Sequence, residues 1–571
     1  MPDRKSPGVS ERLARTAHEV FGWSELRPGQ LAAMEAVMRG RDTLAVMPTG
    51  AGKSAVYQVP GLLLPGPTVV VSPLIALQRD QIAGLLSHAD APDAVAVNSA
   101  QAAGETEAAW DAVRHGDAEF LFLSPEQLAK DEVLERLART APSLFVVDEA
   151  QCVAAWGHDF RPDYLRLAQA AQRVGRPTIL ALTATAAPPV REEIVERLGL
   201  EDPALAVAGF DRPNIALEVR RFLDDTGKRR VVVERAAAEP KPGIVYTATR
   251  RDAEAYAADL AELGLSAAAY HAGLTAGERS RAHDAFLAGE TDVVVATSAF
   301  GMGIDKEDVR FVLHASVPGS LDAYYQEIGR AGRDGGPAVA VLHYRSQDSG
   351  LQRMFATRAP DEDTLGAVAE RIHEHDAPVE PADIRKETGL SRRRVTAAVN
   401  LLEEVGAVHT EDDGRVRAVA GTTTEDAAAR AAEQARSRRR LEQSRLAMML
   451  GYAETTGCRR RFLLGYFGEP YDAPCGACDV CASPASPSSP SSGDSVVEGV
   501  GDTGDESASQ AAAVSFPAGT RVRHTEWGEG TVMSEEGDRI TVLFESMGYR
   551  TLSLAAIAGK GLLTAHPLGA G

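Results

Sequence analysis

Two successive sets of short apolar runs, separated by helical stretches, constrain the fold of this chain more than any other feature. The first set occupies residues 43–47, 68–72, 120–124, 144–148 and 178–185. The second set occupies residues 243–246, 266–270, 292–297, 309–314 and 338–344. Strands that are apolar throughout and alternate with helices are typical of parallel sheets covered on both faces. The first 350 residues are therefore expected to form two α/β lobes with ligands at the carboxyl ends of the strands.

Length and charge narrow the classes of protein further. At roughly 150 residues per domain, 571 residues suggest about four domains. No run of about 18 apolar residues predicts a membrane span, and the first residues lack a secretion signal, so a cytoplasmic protein is expected. The 60 basic and 81 acidic residues give a net charge of −21. That balance excludes a protein that coats nucleic acid through bulk positive charge, so any polyanion must meet local basic patches.

A glycine-rich turn follows the first apolar run, where a helix is expected to begin. Its sequence is MPTGAGKS. Glycines let backbone N–H groups approach phosphate, a lysine can reach the β- and γ-phosphates, and a serine can hold Mg²⁺. The usual phosphate loop has glycine where this chain has Met47, so an ordinary strand-to-helix turn remains an alternative for this motif alone. The candidate nucleotide ligands are Thr49, Gly50, Gly52, Lys53 and Ser54.

An acidic pair at the end of another apolar run argues against that alternative. Asp148 and Glu149 follow LFVV. Such pairs are common as helix caps, but a cap and a phosphate loop occur together much more rarely. Asp148 suits a Mg²⁺ ligand, and Glu149 suits the positioning of an attacking water. The two motifs together predict hydrolysis of a nucleoside triphosphate.

Two arginines in the second lobe complete the predicted catalytic set. Arg330 and Arg333 stand three residues apart in YYQEIGRAGRDGG. Closely spaced arginines usually mark a solvated face. Across a cleft from a phosphate loop, however, they can neutralise charge on a phosphoryl group in transfer. A loop on one lobe and arginines on the other predict a motor whose closure depends on hydrolysis.

Nine segments, in one order, are similar to the motifs of a known family. They are FGWSELRPGQ, MPTGAGKS, VVVSPLIALQRDQ, DEAQCVAAWGHDFRPDY, ALTATA, FDRPNI, YHAGL, VVATSAFGMGIDK and YYQEIGRAGRDG. Together they resemble the RecQ family of superfamily 2 DNA helicases over about residues 15–350, and to about residue 481 with the cysteine region. The resemblance implies two RecA-like lobes, ATP with Mg²⁺, and movement from 3′ to 5′ on single-stranded DNA. The implied location is the cytoplasm, in association with the nucleoid.

The resemblance also implies roles for individual residues. Adenine recognition is expected of Trp23, Arg27 and Gln30, although ordinary core packing is an alternative for Trp23. An aromatic-rich loop that senses single-stranded DNA is expected to supply Trp156, His158, Phe160 and Arg161. Gln151 stands where most relatives have histidine. Glutamine forms hydrogen bonds but does not become charged near neutral pH, so this residue puts the coupling of hydrolysis to DNA sensing in doubt.

Four of the five cysteines are grouped near the end of the region of resemblance. Cys458 is followed by sixteen residues and then by Cys475, Cys478 and Cys481 at two-residue gaps. Four thiolates in this spacing predict a closed, structural Zn²⁺ site, and an iron–sulfur cluster is the alternative. The flanking sequence resembles the RecQ zinc module. Cys152 is interpreted as a small buried apolar residue.

The segment before these cysteines predicts a winged helix-turn-helix. It has a turn at Gly389, an N-cap at Ser391, a helix stop at Gly406 and a hairpin through Asp413 and Gly414. In typical RecQ proteins this module follows the zinc ligands. Duplex phosphates are expected to meet Arg392, Arg393 and Arg394, and protein binding is the alternative. Residues 436–461 carry eight arginines and two acids, which suit either DNA tracking or a solvated face.

The last ninety residues suggest a linker and a small domain. Residues 483–513 are rich in Ser, Pro, Gly and Ala, contain no Lys or Arg, and predict a disordered linker. Residues 514–571 alternate apolar and polar positions around turns at 528–530 and 537–538, which predicts a five-stranded β-barrel. This domain resembles the Tudor-like domain of UvrD-type helicases. A protein partner, with RNA polymerase as first candidate, is expected there, and a passive appendage is the alternative. The linker is long enough that the barrel need not pack on the helicase.

The sequence therefore predicts six segments. They are a RecA-like ATP-binding lobe (1–208), a second RecA-like lobe (209–350), a helical connection with a winged helix (351–424), a zinc module (425–482), a linker (483–513) and a Tudor-like barrel (514–571). The expected activity is ATP-dependent unwinding of forked, tailed or junction DNA in repair and recombination. The alternatives are a DNA-stimulated ATPase that binds or anneals DNA with little unwinding, and an RNA helicase.

Overall fold

The computed structural model of the 571-residue chain forms two compact units, Met1–Ala453 and Glu454–Gly571. No helix in the described part of the chain is both long and apolar enough to cross a bilayer. The described residues are 8–88, 90–154, 161–301, 304, 306–348, 350, 360–375, 377–411, 413–472, 474–482, 516, 520–536, 539–544, 547–554, 557 and 562–565.

The first lobe is built on seven strands: β1 Thr43–Val46, β2 Thr68–Val71, β3 Asp93–Val97, β4 Ala118–Leu123, β5 Leu144–Val147, β6 Thr178–Thr183 and β7 Ala204–Val207. All pair in parallel, in the spatial order β3-β4-β2-β5-β6-β1-β7. Its helices are α1 Val9–Phe21, α2 Pro28–Met38, α3 Ala55–Gly61, α4 Ile75–Leu86, α5 Ala103–His115, α6 Asp131–Thr140, α7 Leu167–Arg173 and α8 Pro188–Leu198. Because β1, β6 and β5 are neighbours, the segments that follow them meet at one edge of the sheet.

The second lobe repeats this plan with six strands: β8 Ile215–Arg221, β9 Gly243–Tyr246, β10 Ala267–Tyr270, β11 Val293–Ala296, β12 Phe311–His314 and β13 Ala338–Tyr344. They too are parallel, in the order β10-β11-β9-β12-β13-β8. The helices are α9 Asp225–Ala238, α10 Arg250–Glu262, α11 Ala276–Leu287 and α12 Leu321–Ile328. Strands β9, β11, β12 and β13 are buried along their whole length, as continuous apolar runs predict.

Both predicted parallel sheets are confirmed, and each contains strands that the apolar runs did not indicate. These additional strands are β3, β7 and β8. Each lies at an end of its sheet, where one side of the strand has no neighbour to pair with. Edge strands need less apolar sequence than central ones, and β7 leaves Leu205 and Val207 exposed. Their alanine-rich or charged sequences therefore indicate a β-strand only weakly.

The predicted winged helix is present in the first unit. Helices α13 Glu362–His373, α14 Pro381–Thr388 and α15 Arg392–Glu404 precede an antiparallel hairpin of β14 Val408–Thr410 and β15 Val416–Ala418. The hydroxyl of Ser391 accepts the N–H of Arg394 and caps α15, as predicted. A core of Leu365, Val395, Val399, Leu402 and Val416 holds the helices to the hairpin.

A single long helix, α16 Thr424–Glu454, runs from the winged helix to the second lobe. Near its start it contributes an alanine face, including Ala427, Ala431 and Ala435, to the winged-helix core. Near its end the ring of Tyr452 lies 5.0 Å from the ring of Tyr324 on α12, and their hydroxyls are 3.2 Å apart. The helix is therefore anchored at both ends by buried contacts.

The second unit contains two short helices and an antiparallel sheet. The helices are α17 Arg459–Tyr466 and α18 Asp479–Ala482, and the strands are β16 Arg521–His524, β17 Gly528–Glu536, β18 Arg539–Phe544, β19 Gly548–Ser553 and β20 Leu563–Ala565. Their order is β19-β18-β17-β16-β20, over a core that includes Val522, Val532, Ile540, Val542 and Phe544. This antiparallel sheet has the five strands expected of the C-terminal domain.

One turn in this sheet was predicted wrongly. The turn falls at residues 525–527, and Gly528 already begins β17, opposite His524. Gly530 lies within the strand ladder, where a Cβ atom would come within 2.7 Å of the Phe544 ring. Glycine is needed there for close packing and not for a turn. The other predicted turn, at residues 537–538, lies outside the described residues.

The C-terminal sheet lies against the short helix after Cys458. The rings of Tyr466 and Tyr549 are 5.4 Å apart, and both side chains are buried. Within this unit the sheet therefore packs on the helix that follows Cys458. The predicted linker, residues 483–513, lies outside the described residues.

Candidate active site and metal centre

The glycine-rich loop joins β1 to α3, with Ser54 at the N-cap position of the helix. Gly50 and Gly52 have φ angles of +80° and +72°, a region that favours glycine. A Cβ atom on Gly50 would lie 3.2 Å from Cγ of Arg333, and one on Gly52 would lie 2.6 Å from Nε2 of Gln30. Both glycines are therefore required by backbone conformation and by the side chains packed against them.

The acidic pair and the loop lysine influence one another's charge. Desolvation lowers the pKa of Lys53, whereas the negative charges of Glu149 and Asp148 act in the opposite direction. Desolvation, followed by the charge of Glu149, raises the pKa of Asp148 to about 6 despite the nearby Lys53. Gln81 of α4 donates a hydrogen bond of 3.1 Å to Oδ2 of Asp148. The structure therefore brings a cation and two carboxylates together beside a glycine-rich loop.

Glu149 has a strained backbone and a fixed neighbour. Its φ angle is +50°, a conformation that costs a non-glycine residue on the order of 1–2 kcal/mol. Nε2 of Gln151 donates to its carboxylate at 2.8 Å, and Oε1 of Gln151 accepts from the hydroxyl of Thr183 at 2.6 Å. Gln151 is only 1% exposed. It therefore links the acidic pair to Thr183, the last residue of β6.

Both arginines of the second lobe lie beside the loop of the first. The side chain of Arg333 packs along Gly50. The charges of Arg333 and Arg330 both depress the pKa of Lys53. Arg330 is 3% exposed, and its Nε atom is buried without a hydrogen-bond partner among the described residues. A buried guanidinium N–H without a partner is costly unless a ligand completes it, and an anion is the ligand that suits it.

Two of the three residues expected to recognise adenine, Arg27 and Gln30, contact the same loop. Nε2 of Gln30 donates to the carbonyl oxygens of Ala51 at 2.9 Å and Gly52 at 3.0 Å. Arg27 donates to the carbonyl of Gly50 at 3.0 Å. The Trp23 ring stacks on Phe21 with centroids 4.5 Å apart. Gln30 and Arg27 are therefore bonded to the loop itself, a role that the sequence did not suggest.

Most of the aromatic-rich loop lies outside the described residues, including Trp156, His158 and Phe160. Arg161 is described, and it donates to the carbonyl of Pro73 at 3.0 Å. Pro73 precedes α4, which also carries Gln81, the residue that contacts Asp148. The end of the loop is thus tied to the segment that reaches the acidic pair.

Several residues at the site were missed by sequence reasoning. Arg212 and Asn214, in FDRPNI, donate hydrogen bonds to backbone carbonyls next to Arg330 and Arg333. Tyr164 is fully buried and donates to the carbonyl of Asp148 at 3.1 Å. These residues stand in quoted motifs, but their partners are distant in sequence. Their place in the motifs indicated that these residues matter, but it did not indicate which groups they contact.

The four clustered cysteines meet in the second unit. Their Sγ atoms all lie within 4.8 Å of one another. A tetrahedral Zn²⁺ with Zn–S bonds of about 2.3 Å needs sulfurs about 3.8 Å apart, so the cluster fits zinc with little adjustment. Arg459 forms a two-pronged ion pair with Asp479, with distances of 3.0 and 3.1 Å. This ion pair joins the helix that follows Cys458 to the helix that carries Cys481.

Several of the basic residues expected to meet DNA are paired with other residues of the protein or are buried. Arg392, Arg393 and Arg394 are all exposed, and Arg394 also donates to the hydroxyl of Thr364 at 2.6 Å. Arg438 pairs with Glu404 at 3.0 Å. The buried arginines of this region are Arg445, Arg459 and Arg460. The positive charge of residues 436–461 therefore serves internal packing to a large extent, which neither reading of the sequence had anticipated.

Comparisons with family models agree with this architecture. The model described as DEAD/DEAH box helicase matches residues 27–194, and the helicase conserved C-terminal domain matches residues 227–335. The RecQ zinc-binding model matches residues 416–482. A family described as a protein of unknown function (DUF3553) matches residues 517–560.

Curated relatives extend the match over most of the chain. The chain is 34% identical over 466 residues to the probable ATP-dependent DNA helicase RecS of Bacillus subtilis, covering 81% of this chain and 89% of that protein. It is 41% identical over 332 residues to the ATP-dependent DNA helicase RecQ of Pasteurella multocida, covering 58% of this chain and about half, 52%, of that protein. A DNA- and AMPPNP-bound crystal structure of the DUF1998 helicase MrfA shares the fold, with a TM-score of 0.51 at 19% identity, covering 74% of this chain and 63% of that one.

The helicase domains and the helicase relatives imply ATP and Mg²⁺, and the RecQ zinc-binding region with its cysteine cluster supports Zn²⁺. Together with the relatives, these features make the chain an ATP-dependent DNA helicase. The chain belongs to the RecQ family of superfamily 2 helicases.

Proposed function

We propose that this helicase moves from 3′ to 5′ on single-stranded DNA and unwinds forked, tailed or junction DNA during repair and recombination. The observation that carries the motor role is the meeting of Lys53, Asp148 and Glu149 from one sheet with Arg330 and Arg333 from the other. A site shared between two lobes allows nucleotide binding to control closure. The polarity and the DNA substrates rest on the resemblance to the RecQ family.

We assign the phosphate chemistry to residues of the first lobe. Lys53 binds the β- and γ-phosphates, and the backbone of Thr49, Gly50 and Gly52 approaches them. Ser54 and Asp148 would hold Mg²⁺, which neutralises phosphate charge when bound. Glu149 orients the attacking water, and its hydrogen bond from Gln151 fixes its carboxylate.

The second lobe supplies the arginines. Arg330 and Arg333 neutralise charge that develops on the transferring group, an effect worth about 10³–10⁵ in rate where it has been measured. The Nε of Arg330 is buried and has no hydrogen-bond partner in the part of the chain that the structure describes, which supports this role because an anion would satisfy it.

Adenine recognition is coupled, in this proposal, to the conformation of the phosphate loop. Gln30 uses its amide N–H groups on the carbonyls of Ala51 and Gly52. For the same N–H groups to bind the edge of adenine, at least one of these bonds must be released. Trp23 and Arg27 complete the adenine site.

We further propose that single-stranded DNA is sensed by Trp156, His158, Phe160 and Arg161. Aromatic faces bind bases without regard to sequence, as a translocating enzyme requires. Gln151 couples this sensing to hydrolysis, because it donates a hydrogen bond to Glu149 and accepts one from Thr183. On the winged helix, the exposed Arg392, Arg393 and Arg394 are assigned to duplex phosphates, and Arg394 also donates a hydrogen bond to Thr364.

A strand-displacement assay tests the proposal directly. Matched duplexes carry a 3′ tail, a 5′ tail or blunt ends, and unwinding is measured with ATP for wild type and for Lys53→Ala. The proposal expects unwinding of the 3′-tailed duplex by wild type alone. Unwinding of the 5′-tailed duplex in its place would contradict the polarity. ATPase stimulation by DNA without displacement of any duplex would favour the alternative, a DNA-binding or annealing factor.

For the C-terminal region we propose a Tudor-like domain, within residues 514–571, that binds a protein, with RNA polymerase as the first candidate. Arg523 on its exposed face is neutralised by Glu529 at 3.5 Å, which makes a poor footprint for DNA. The six segment boundaries predicted from the sequence are retained in this proposal. We place the enzyme in the cytoplasm at the nucleoid, because its substrate is DNA.

A further inference from the structure

The short segment that connects the two sheets carries an arginine with an unusual set of partners. Strand β7 ends at Val207 and β8 begins at Ile215, and Arg212 lies between them. Its guanidinium donates to four backbone carbonyls. Three belong to the second lobe, with distances of 3.1 Å to Gly329, 2.8 Å to Ala331 and 2.9 Å to Gly332. The fourth, at 3.3 Å, is the carbonyl of Thr49 in the phosphate loop.

These carbonyls surround the residues that do the chemistry. Gly329 and Ala331 flank Arg330, and Gly332 precedes Arg333. A guanidinium offers five N–H donors in one rigid plane, so it can hold several acceptors in a fixed mutual geometry. Arg212 therefore fixes the backbone of the arginine-bearing turn and ties that turn to the phosphate loop of the other lobe.

The two loops are also in direct contact at this point. A Cβ atom on Gly329 would lie 3.3 Å from Cβ of Thr49, so the absence of a side chain permits the close approach. Burial lowers the pKa of Arg212, and the charge of Arg27 lowers it further. Arg212 thus lies near Arg27, which itself bonds the carbonyl of Gly50. Two positive charges therefore lie near each other beside the phosphate loop.

We propose that Arg212 is a positioning residue for ATP hydrolysis that sets the register of Arg330 and Arg333 against the phosphate loop. This role rests on the proposed function of those two arginines. A lysine at position 212 would keep the charge, but its three N–H donors on one nitrogen could not hold all four carbonyls that the two terminal nitrogens of Arg212 hold. Asn214 bonds Gly332 and Gly336, both in the second lobe, so it braces the turn without reaching the first lobe.

The test compares Arg212→Lys, Arg330→Ala and the double variant of the full chain, with DNA-stimulated ATPase measured over a range of ATP. Arg212→Lys is expected to lower kcat about tenfold or more and to change KM less than about threefold, since charge at the phosphate groups is retained. In the Arg330→Ala background the same change should cost much less, because the arginine that it positions is gone. This dependence on Arg330 separates positioning from a general loss of structure.

Control variants show whether the effect on kcat is specific to Arg212. Arg229→Lys, at a surface ion pair with Asp259, should leave kcat unchanged, and Asn214→Ala should lower kcat less than Arg212→Lys does. If Arg212→Lys fails to fold, Arg212→Gln replaces it in the same cycle. If Arg212→Lys lowers kcat by the same factor in the wild-type and Arg330→Ala backgrounds, or leaves kcat unchanged, the role of Arg212 is overturned. A wild-type chain without DNA-stimulated ATPase would instead refute the proposed function.

Discussion

At the scale of single residues, Lys53 shows how nearby carboxylates partly offset the cost of burying a charge. Two carboxylates offset a desolvation that alone would favour the neutral amine. We expect Lys53→Ala to reduce DNA-stimulated ATPase below a tenth of wild type while DNA binding stays nearly unchanged. ATP turnover and binding of a labelled single strand measure the two properties. Lys130→Ala, at an exposed lysine of the same lobe, is the matched control, and retention of more than a tenth of turnover by Lys53→Ala would contradict the assignment.

Gln151 is a neutral residue at a position between two functional segments. It donates to Glu149 and accepts from Thr183, and both bonds are buried. We expect Gln151→His to change the number of base pairs unwound per ATP more than it changes maximal ATPase, because histidine can become charged and its protonated ring has no acceptor for the hydroxyl of Thr183. Parallel unwinding and ATPase assays give the ratio. Equal fractional changes in both would argue against a coupling role.

His343 predicts a pH dependence of stability outside the active site. Burial, opposed by a bond to the carbonyl of His314, lowers its pKa from 6.5 to about 3, and the charges of Arg220 and Lys228 add to the shift. The folded state therefore binds fewer protons than the unfolded state between about pH 3 and 6.5, so stability is fully present above pH 6.5 and is lost as the pH falls.

Comparison with His343→Asn isolates this contribution. Between pH 7.5 and 5.5 the stability advantage of wild type over the variant should shrink by roughly 1 kcal/mol, since one group contributes at most about 1.4 kcal/mol per pH unit. Thermal-unfolding midpoints of both proteins at the two pH values measure it. A constant difference between the proteins would show that His343 is not held neutral by the fold.

At the scale of secondary-structure elements, the zinc module depends on its metal because its helices are short. Helix α18 has four residues, too few to be stable alone. We expect Cys475→Ser to lose the single Zn²⁺ and to make the protein poorly soluble, since a structural zinc supplies local folding free energy. Elemental analysis measures the metal. Cys152→Ala should retain zinc, and iron in anaerobically purified wild type would overturn the choice of metal.

At the scale of the whole molecule, the C-terminal sheet is structurally attached to the zinc module but is proposed to have a separate function. Truncation after Cys481 should retain zinc, ATPase and unwinding and lose the protein partner in pull-downs from the native lysate. It should also expose Tyr466, which now packs near Tyr549, and so lower solubility somewhat. Loss of unwinding on naked DNA, with no partner present, would mean that the sheet belongs to the motor.

Local sequence determined much of this protein. Apolar runs predicted the central strands, because a strand buried on both faces must be apolar throughout. The N-cap at Ser391 followed from chemistry within three residues of it. The chemical character of Lys53, Asp148 and the four cysteines likewise depends on residue type and spacing, which is why the nucleotide and zinc sites could be predicted before the fold was known.

Only the tertiary structure decided how charged and polar side chains are used. Arginine side chains such as Arg394 and Arg459 are suited to bind DNA phosphates. Arg394, however, donates a hydrogen bond to Thr364, and Arg459 pairs with Asp479. Arg212 gains its role from carbonyls more than a hundred residues away in both directions of the chain, Thr49 and Ala331. A guanidinium binds phosphate, carboxylate or carbonyl oxygen with similar geometry, so its partner is set by which acceptor the fold brings within reach and removes from water.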